Sequence, residues 1–376
     1  MEHLIFGNEQ SRRAVQWRNV LGDASVQWVS YEEVAQGHFP VIKEPTTVRI
    51  TSPGEDFDTY KLLLSLGGYP GAEQLVFERG RIYHHLYWYR GWCTVLDQIH
   101  AFLQEQPACL VMNHPKPIQL AFNKIKCQQL LANHGIPIPK IYSNQLTSFQ
   151  QLLAIMEEKQ VPRVFLKPAH GSSASGIMMF RKNGDRLLLE TTIGVRQEKG
   201  ELKLFNYKRL QKYHKRDIIA AIIEEMIPNK LHVEEWIIKK RFQAKSTDFR
   251  VVTINQQAVF IQPRHSTHPI TNLRLGNEKG SLENLEAEWG RGIIDHVRVV
   301  AEDTARHLPR LFYAGLDIAV DRKGNPYVLE VNPFGDFLKE IFVGGKNTYE
   351  LELSHWQRHL IQHQEKTKVK HDQLGI

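Results

Sequence analysis

Two carboxylates and an amide near the C-terminus are spaced to meet at one point. Gly315-Leu-Asp317-Ile-Ala-Val-Asp321 and Tyr327-Val-Leu-Glu330-Val-Asn332-Pro333 each read as a strand of alternating character. Between them, Asp321-Arg-Lys-Gly-Asn-Pro326 supplies turn residues. A symmetric hairpin centred between Lys323 and Gly324 sets Asp317 directly opposite Glu330, on one face, with Cβ atoms roughly 5 Å apart. Asn332 returns to that face by the period of two. Like charges placed opposite each other destabilise a sheet unless something neutralises them. A hard, oxygen-rich set of this kind suits Mg²⁺ or Mn²⁺, with waters and phosphate oxygens completing the shell. The bland alternative is a hairpin whose polar face is simply wet.

A second chemical element lies upstream. Val164-Phe-Leu-Lys167-Pro168 is an apolar strand carrying one lysine, followed by Ala169-His-Gly171-Ser-Ser-Ala-Ser-Gly176 and the strand Ile177-Met-Met-Phe180. Backbone N–H groups of a glycine-serine loop can cradle phosphate oxygens while a lysine adds a point charge. Such a loop alone is more often a flexible turn, and no Gly-Lys-Ser/Thr opens a helix here as a Walker A loop requires. The lysine carries the argument, since a charge in an apolar strand needs an anionic partner.

The elements that must position these groups fall into three stretches. Residues 1–112 read as an α/β unit with strands at His3–Phe6, Thr47–Ile50 and Cys109–Met112 and helices at Asp58–Leu66 and Thr94–Gln106. The aromatic run Tyr83–Tyr89 reads as core or interface packing, with a substrate pocket as the alternative. A helix is expected from Ile118 to His134, stopped by Gly135 and Pro137. From Tyr142 to Glu235 strands alternate with helices at Ser148–Glu158 and Leu210–Met226, so residues 113–235 form a second unit. The third, 236–365, is strand-rich and ends in a helix over Leu351–Gln364. Residues 366–376 read as a polar, frayed tail.

Composition sets the frame. The 376 residues exceed one typical core, and 42% hydrophobic with 24% charged residues is the balance of a soluble globular protein. No apolar run long enough for a membrane span appears, and the N-terminus lacks a signal-peptide pattern. Cys93, Cys109 and Cys127 are too few and wrongly spaced for a disulfide framework or zinc site, which points to the cytosol. Nothing in the sequence specifies an oligomeric state. The net charge of +7 permits an acidic partner, with basic clusters at Lys208–Arg216 and Lys239–Arg241. Such runs are more often solvated faces, and nucleic acid is not the expected partner.

Taken in order, a lysine-bearing strand, a Gly/Ser loop, an acidic-then-apolar segment, an Asp-x-Arg and a terminal Asp…Glu-x-Asn resemble the ATP-grasp superfamily, closest to the group of ribosomal-protein glutamate ligases and glutathione synthetases. The resemblance covers about residues 113–335 and implies two α+β subdomains gripping ATP, preceded by an N-terminal α/β domain. It implies that Lys124, in Asn123-Lys124, and Lys167 contact ATP phosphates, as does the loop of Gly171, Ser172, Ser173 and Gly176. Glu234, Glu235, Trp236 and Ile237 resemble the hinge that holds adenine through backbone groups and an acidic side chain. Arg250 of Asp248-Phe-Arg250, Arg264, and Asn272 with Arg274 of Asn272-Leu-Arg-Leu-Gly276 resemble the elements over the reaction centre. Asp317, Glu330 and Asn332 match the metal ligands. Two positions depart from the pattern: Pro333-Phe-Gly-Asp336 lacks the usual small residues, and Asn277 stands where a second glycine is common.

The resemblance implies an ATP-dependent carboxylate–amine ligase, using Mg²⁺ or Mn²⁺ and passing through an acyl phosphate. Small-molecule or peptide carboxylates and amines would be its substrates. A phosphotransferase on the same fold, or a nucleotide-binding module without turnover, are the rival readings, since fold does not settle function.

Overall fold

The structure, a computed structural model, describes residues 2–374 apart from 23, 55, 172–174, 199 and 336–340, with side chains described to residue 362. Three sheets organise the described chain. The first is parallel, in the order Val26–Val29, Glu2–Phe6, Thr46–Ile50, Cys109–Val111. Val26–Val29 was not expected from sequence, because a four-residue edge strand with one buried residue shows little periodicity. The helix expected from Thr94 begins at His85. Aromatic residues are indifferent helix formers and hide the pattern, yet Trp92, Val95, Leu96 and Ile99 recur on one buried face. Tertiary burial decides the matter.

The single helix expected over Ile118–His134 is two, Pro115–Phe122 and Lys124–Asn133. Asn123 leaves the helical region with ψ 90°, and its side chain accepts from the Lys126 N–H at 3.1 Å. The break places Lys124 at the first helical position.

The second sheet is antiparallel throughout, in the order Ile141–Ser143, Leu231–Glu235, Arg163–Pro168, Met178–Asn183, Arg186–Glu198, Glu201–Tyr213. Leu210–Tyr213, expected to open a helix, instead ends the last of these strands, pairing with residues 189–191; the helix starts at Arg216. Helices Phe149–Glu158 and Arg216–Met226 cover one face, and with Val164, Leu166, Phe180 and Val233 they build a core of their own.

The third sheet runs Glu278–Lys279, Gln257–Ser266, Lys245–Ile254, Tyr313–Val320, Pro326–Asn332. Its apolar face, including Val251, Leu316, Ile318 and Val331, shares one continuous core with Leu4, Val48, Trp92 and Leu96 of the N-terminal unit. The C-terminal helix spans Thr348–Leu374, so the stretch expected to fray is helical in backbone. Its Glu, Lys and Gln residues are good helix formers; polarity alone did not argue for a tail.

Candidate active site in the cleft between the antiparallel sheets

Sheet register assembles the polar face of the third sheet. Asp248 pairs with Arg264 and Arg250 pairs with Asp317 across neighbouring strands, and Asp317 pairs in turn with Glu330. Cross-strand partners share a face, so five charged side chains from four strands converge. The expected Asp317–Glu330 pairing is present, by a different route. Register runs Val320↔Pro326 and Ile318↔Val328, then shifts to Asp317↔Glu330 and Gly315↔Asn332. Leu329 is the extra residue of a β-bulge, which re-aims the strand. That is why Val328 and Val331, three residues apart, both reach the core while Glu330 turns to the cleft. Gly315 has to be glycine: a Cβ there would lie 2.6 Å from the Gly335 carbonyl oxygen and 3.4 Å from the Arg250 guanidinium.

The repulsion expected between the two carboxylates is answered by protein cations. Arg250 donates to Asp317 from Nε at 2.6 Å and from Nη2 at 3.3 Å, and Arg264 Nη2 lies 3.0 Å from Asp317 Oδ1. Lys124 Nζ lies 3.1 Å from Glu330 Oε1 and donates to the Gly171 carbonyl at 2.6 Å. Lys124 thus joins the metal-type hairpin to the glycine-serine loop. Behind them, Asp248 takes Arg264 Nε at 2.8 Å, Lys239 Nζ at 2.8 Å and the Thr271 hydroxyl. Burial alone would raise the Asp248 carboxyl; Arg264 and Lys239 more than offset it and hold it far below the usual range. Burial pulls the Lys239 ammonium down, against the attraction of Asp248.

Lys167 has the anionic partner its setting demands, and that partner is within the protein. Its ammonium pairs with Glu234 Oε1, while Gln128 Nε2 at 3.2 Å and His232 Nε2 at 3.3 Å meet Glu234 Oε2. Burial opposes the Glu234 charge, yet Lys167 and His232 hold its carboxyl at about 2. Both Glu234 oxygens therefore have protein partners, which leaves Glu235 as the less engaged of the two acidic side chains expected near a base. Glu235 accepts the Lys140 N–H at 3.4 Å. Trp236 packs on Phe165, with centroids 5.2 Å apart, and joins Met179 and Ile270 in an apolar cluster on the cleft side; Ile237 is buried beside it.

The remaining expected site residues divide. Asn272 accepts the Arg274 N–H at 2.9 Å, and Arg274 is exposed on the short turn Leu273–Leu275. Asn277, at the departing position, donates to the Ile270 and Asn272 carbonyls at 2.9 Å and closes that turn. Gly171 and Gly176 flank the loop, both at positive φ, whereas Ser172 and Ser173 lie outside the described residues, as does Asp336. Sequence reasoning missed Lys239, Thr271, Gln128 and His232. Lys239 was visible only as part of a basic run. Its burial needs the fold, and no spacing rule links it to Asp248. His85, from the N-terminal unit, was missed as well: a Cβ on Gly171 would sit 3.2 Å from its Nδ1. Beside it, Tyr89 stacks on His170 at 3.7 Å.

Asp317 and Glu330 face one another with hard oxygen donors, and among the described residues the Asn332 amide nitrogen is buried without a hydrogen-bond partner. This donor set fits Mg²⁺ or Mn²⁺. Among the described residues no group of three or more His, Cys, Asp or Glu side chains could hold a metal unaided, so substrate oxygens and water would complete the shell. No described helix is long and apolar enough to cross a membrane.

Comparison with known proteins agrees with this geometry. No curated protein matches the chain in sequence. Among solved structures, the ATP-grasp ligase PsnB complexed with a phosphomimetic variant of its minimal precursor, Mg and ADP superposes with TM-score 0.52 at 14% identity, covering 94% of this chain and 96% of that one. The D-cycloserine synthetase DcsG gives 0.54 at 11% identity over 96% and 100%. D-alanine–D-alanine ligase from Bacillus anthracis complexed with ATP gives 0.52 at 12% identity over 97% and 99%. At such identities these likenesses establish the fold. The profile of YheC/D-like ATP-grasp proteins matches residues 118–344, more than half of the chain, and the chain belongs to that family.

Proposed function

We propose that the protein is an ATP-dependent carboxylate–amine ligase, and that the cluster of Lys124, Glu330, Asp317, Arg250 and Arg264, tied to Gly171 by Lys124, is its reaction centre. The observation that carries this reading is the bridge made by Lys124, whose ammonium touches both the Gly171 carbonyl and Glu330. A triphosphate laid against the loop would reach this bridge, with Lys167 as the second cation along it. Bound at Asp317, Glu330 and Asn332, Mg²⁺ or Mn²⁺ would neutralise charge on the β- and γ-phosphates.

In the reaction, a carboxylate oxygen of the substrate attacks the γ-phosphorus of ATP. The bond to the β-bridging oxygen breaks, and ADP and an acyl phosphate result. An amine then attacks the acyl carbon, loses a proton and expels inorganic phosphate. Arg250 and Arg264 hold Asp317 in place and present guanidinium charge where negative charge develops. Arg274 would approach from the turn over the cleft. Backbone groups of Glu235–Ile237, with Phe165 and Trp236, form the surface for the base.

We infer a finer kinship with ribosomal-protein glutamate ligases and glutathione synthetases; that kinship, the minimal precursor bound by PsnB and the D-alanine named for the Bacillus anthracis ligase favour an amino acid or peptide as substrate. Three free cysteines are in keeping with the cytosol. A carboxylate that stimulates ADP release should yield a hydroxamate when hydroxylamine replaces the amine. ADP release with a stable phosphorylated product and no hydroxamate would instead establish the phosphotransferase reading.

A further inference from the structure

One of the two departures noted in the sequence begins at Pro333, directly after the last metal-type residue. Asn332 ends the strand Pro326–Asn332 and pairs with Gly315. Its carbonyl accepts the Gly335 N–H at 3.4 Å, which closes a four-residue turn with proline second and glycine, at φ 71°, last. The Asn332 amide nitrogen is buried and, among the described residues, has no hydrogen-bond partner. With that nitrogen unheld, the position of the donor follows the main chain of the turn.

One side chain grips that main chain. Asn113 lies between the strand Cys109–Val111 and the helix Pro115–Phe122 and is fully buried. Its amide nitrogen donates to the Pro333 carbonyl at 2.6 Å and to the Tyr313 carbonyl at 2.9 Å, and its oxygen accepts the Tyr313 N–H at 3.2 Å. These bonds join the first residue of the strand that carries Asp317 to the residue after Asn332. The ladder between the two strands stops at Gly315 and Asn332, and the Asn113 amide supplies the next rung. Its own backbone is held on both sides. The Phe312 N–H donates to the Met112 carbonyl at 3.1 Å, and the His114 N–H donates to the Arg310 carbonyl at 3.0 Å. Two carbonyls and one N–H meeting at a point require two donors and an acceptor, which an asparagine amide offers and an ionised aspartate does not. The far end of the turn is seated as well. A Cβ on Gly335 would lie 2.8 Å from Glu352 Oε1, and Glu352 pairs with Arg49 at 2.6 Å.

We propose that Asn113 is a positioning residue for the metal site, which by holding the Pro333 carbonyl fixes the turn that begins at Asn332. The inference rests on the reading of Asp317, Glu330 and Asn332 as metal ligands. What separates Asn113 from an asparagine of the fold alone is that one of its N–H groups serves the residue bonded to a ligand. Full-length protein is titrated with fluorescent mant-AMPPNP in excess Mg²⁺ and again in EDTA, and the ratio of the two affinities is the Mg²⁺ gain. Asn113→Ala should shrink that gain by about tenfold, the lower end of the range for residues that orient metal ligands. Its affinity in EDTA should stay within about twofold of wild type, since none of its hydrogen bonds reaches Lys124 or Lys167. Asn113→Asp keeps the acceptor for the Tyr313 N–H but sets a carboxylate oxygen against the two carbonyls, so it should lose the gain as fully. The control is Thr304→Val. It removes a buried hydrogen bond to the Val300 carbonyl on the helix Arg291–Arg306, which packs into the apolar core of the third sheet, and should keep the full gain. A full gain in a folded Asn113→Ala or Asn113→Asp protein overturns the proposal. Equal falls in EDTA and in Mg²⁺, loss of the gain in Thr304→Val, or failure of both Asn113 variants to fold would overturn it too, leaving Asn113 a residue of the fold alone. Wild-type protein without a Mg²⁺ gain would instead overturn the metal assignment, and this proposal with it.

Discussion

The deep end and the mouth of the cleft handle charge in opposite ways. At the deep end Asp248, Arg250, Arg264 and Lys239 are buried, and each is paired through cross-strand register or an adjoining turn. At the mouth, Arg163, Arg241 and Arg322 stand exposed. Taking an ion out of water costs several kcal/mol unless a partner compensates. Charges can therefore be held ready in the interior only as pairs, and a ligand must exchange with a protein partner to reach them. Charges at the mouth stay in water and need no such provision. The cores differ in the same sense. The third sheet shares its core with the N-terminal unit, whereas the second sheet carries its own.

The sharpest contrast should appear in stability. Asp248→Asn leaves Lys239 without its carboxylate and Arg264 with Asp317 alone, and breaking a buried pair costs about 3–5 kcal/mol. Urea unfolding should show a clearly lowered midpoint, while Arg322→Ala at the mouth should leave it in place. Equal midpoints would erase the distinction between the two ends.

Acid should act next. Burial first, then the nearby Lys124 charge, push His85 down to about 4, whereas an unfolded histidine titrates near 6.5. The neutral ring is favoured in the fold, so this contribution is complete above about pH 6.5 and is lost as pH falls toward 4. The loss reaches about 3 kcal/mol. His85→Gln should flatten the stability profile in that window; an unchanged slope would show that the ring is not held neutral there. Glu234, held at about 2, adds its own loss only below about pH 4.5.

A smaller effect would separate the second sheet from the third, if the second closes over the nucleotide. Amides of the strands Arg163–Pro168 and Met178–Asn183 should exchange more slowly with Mg·AMPPNP bound, while those of Tyr313–Val320 stay as they were. Uniform slowing across both sheets would mean that the cleft closes by no relative motion.

How much of this was legible in the sequence depended on distance along the chain. The hairpin bearing Asp317 and Glu330 is local, so alternation and turn residues located it. Even there the route was wrong: the turn is offset by half a residue and the Leu329 bulge restores the register. Lys167 was recognisable as a charge needing an anion, but not the identity of Glu234 as that anion, because their pairing is a tertiary fact. Asp248 with Lys239 and Thr271 joins elements that no periodicity connects. The helix from His85 was hidden for a different reason, since its aromatic first turns are stabilised by packing rather than propensity.

The account rests on Asp317, Glu330 and Asn332 forming, with Lys124, the site for the metal-bound triphosphate. AMPPNP affinity measured by calorimetry with and without Mg²⁺ tests this most directly, because it needs no substrate. Wild-type protein should bind at least about tenfold more tightly with Mg²⁺, a difference of about 1.4 kcal/mol. Glu330→Gln, folded by its urea midpoint, should lose that gain. A Glu330→Gln protein that keeps the full Mg²⁺ dependence would contradict the assignment.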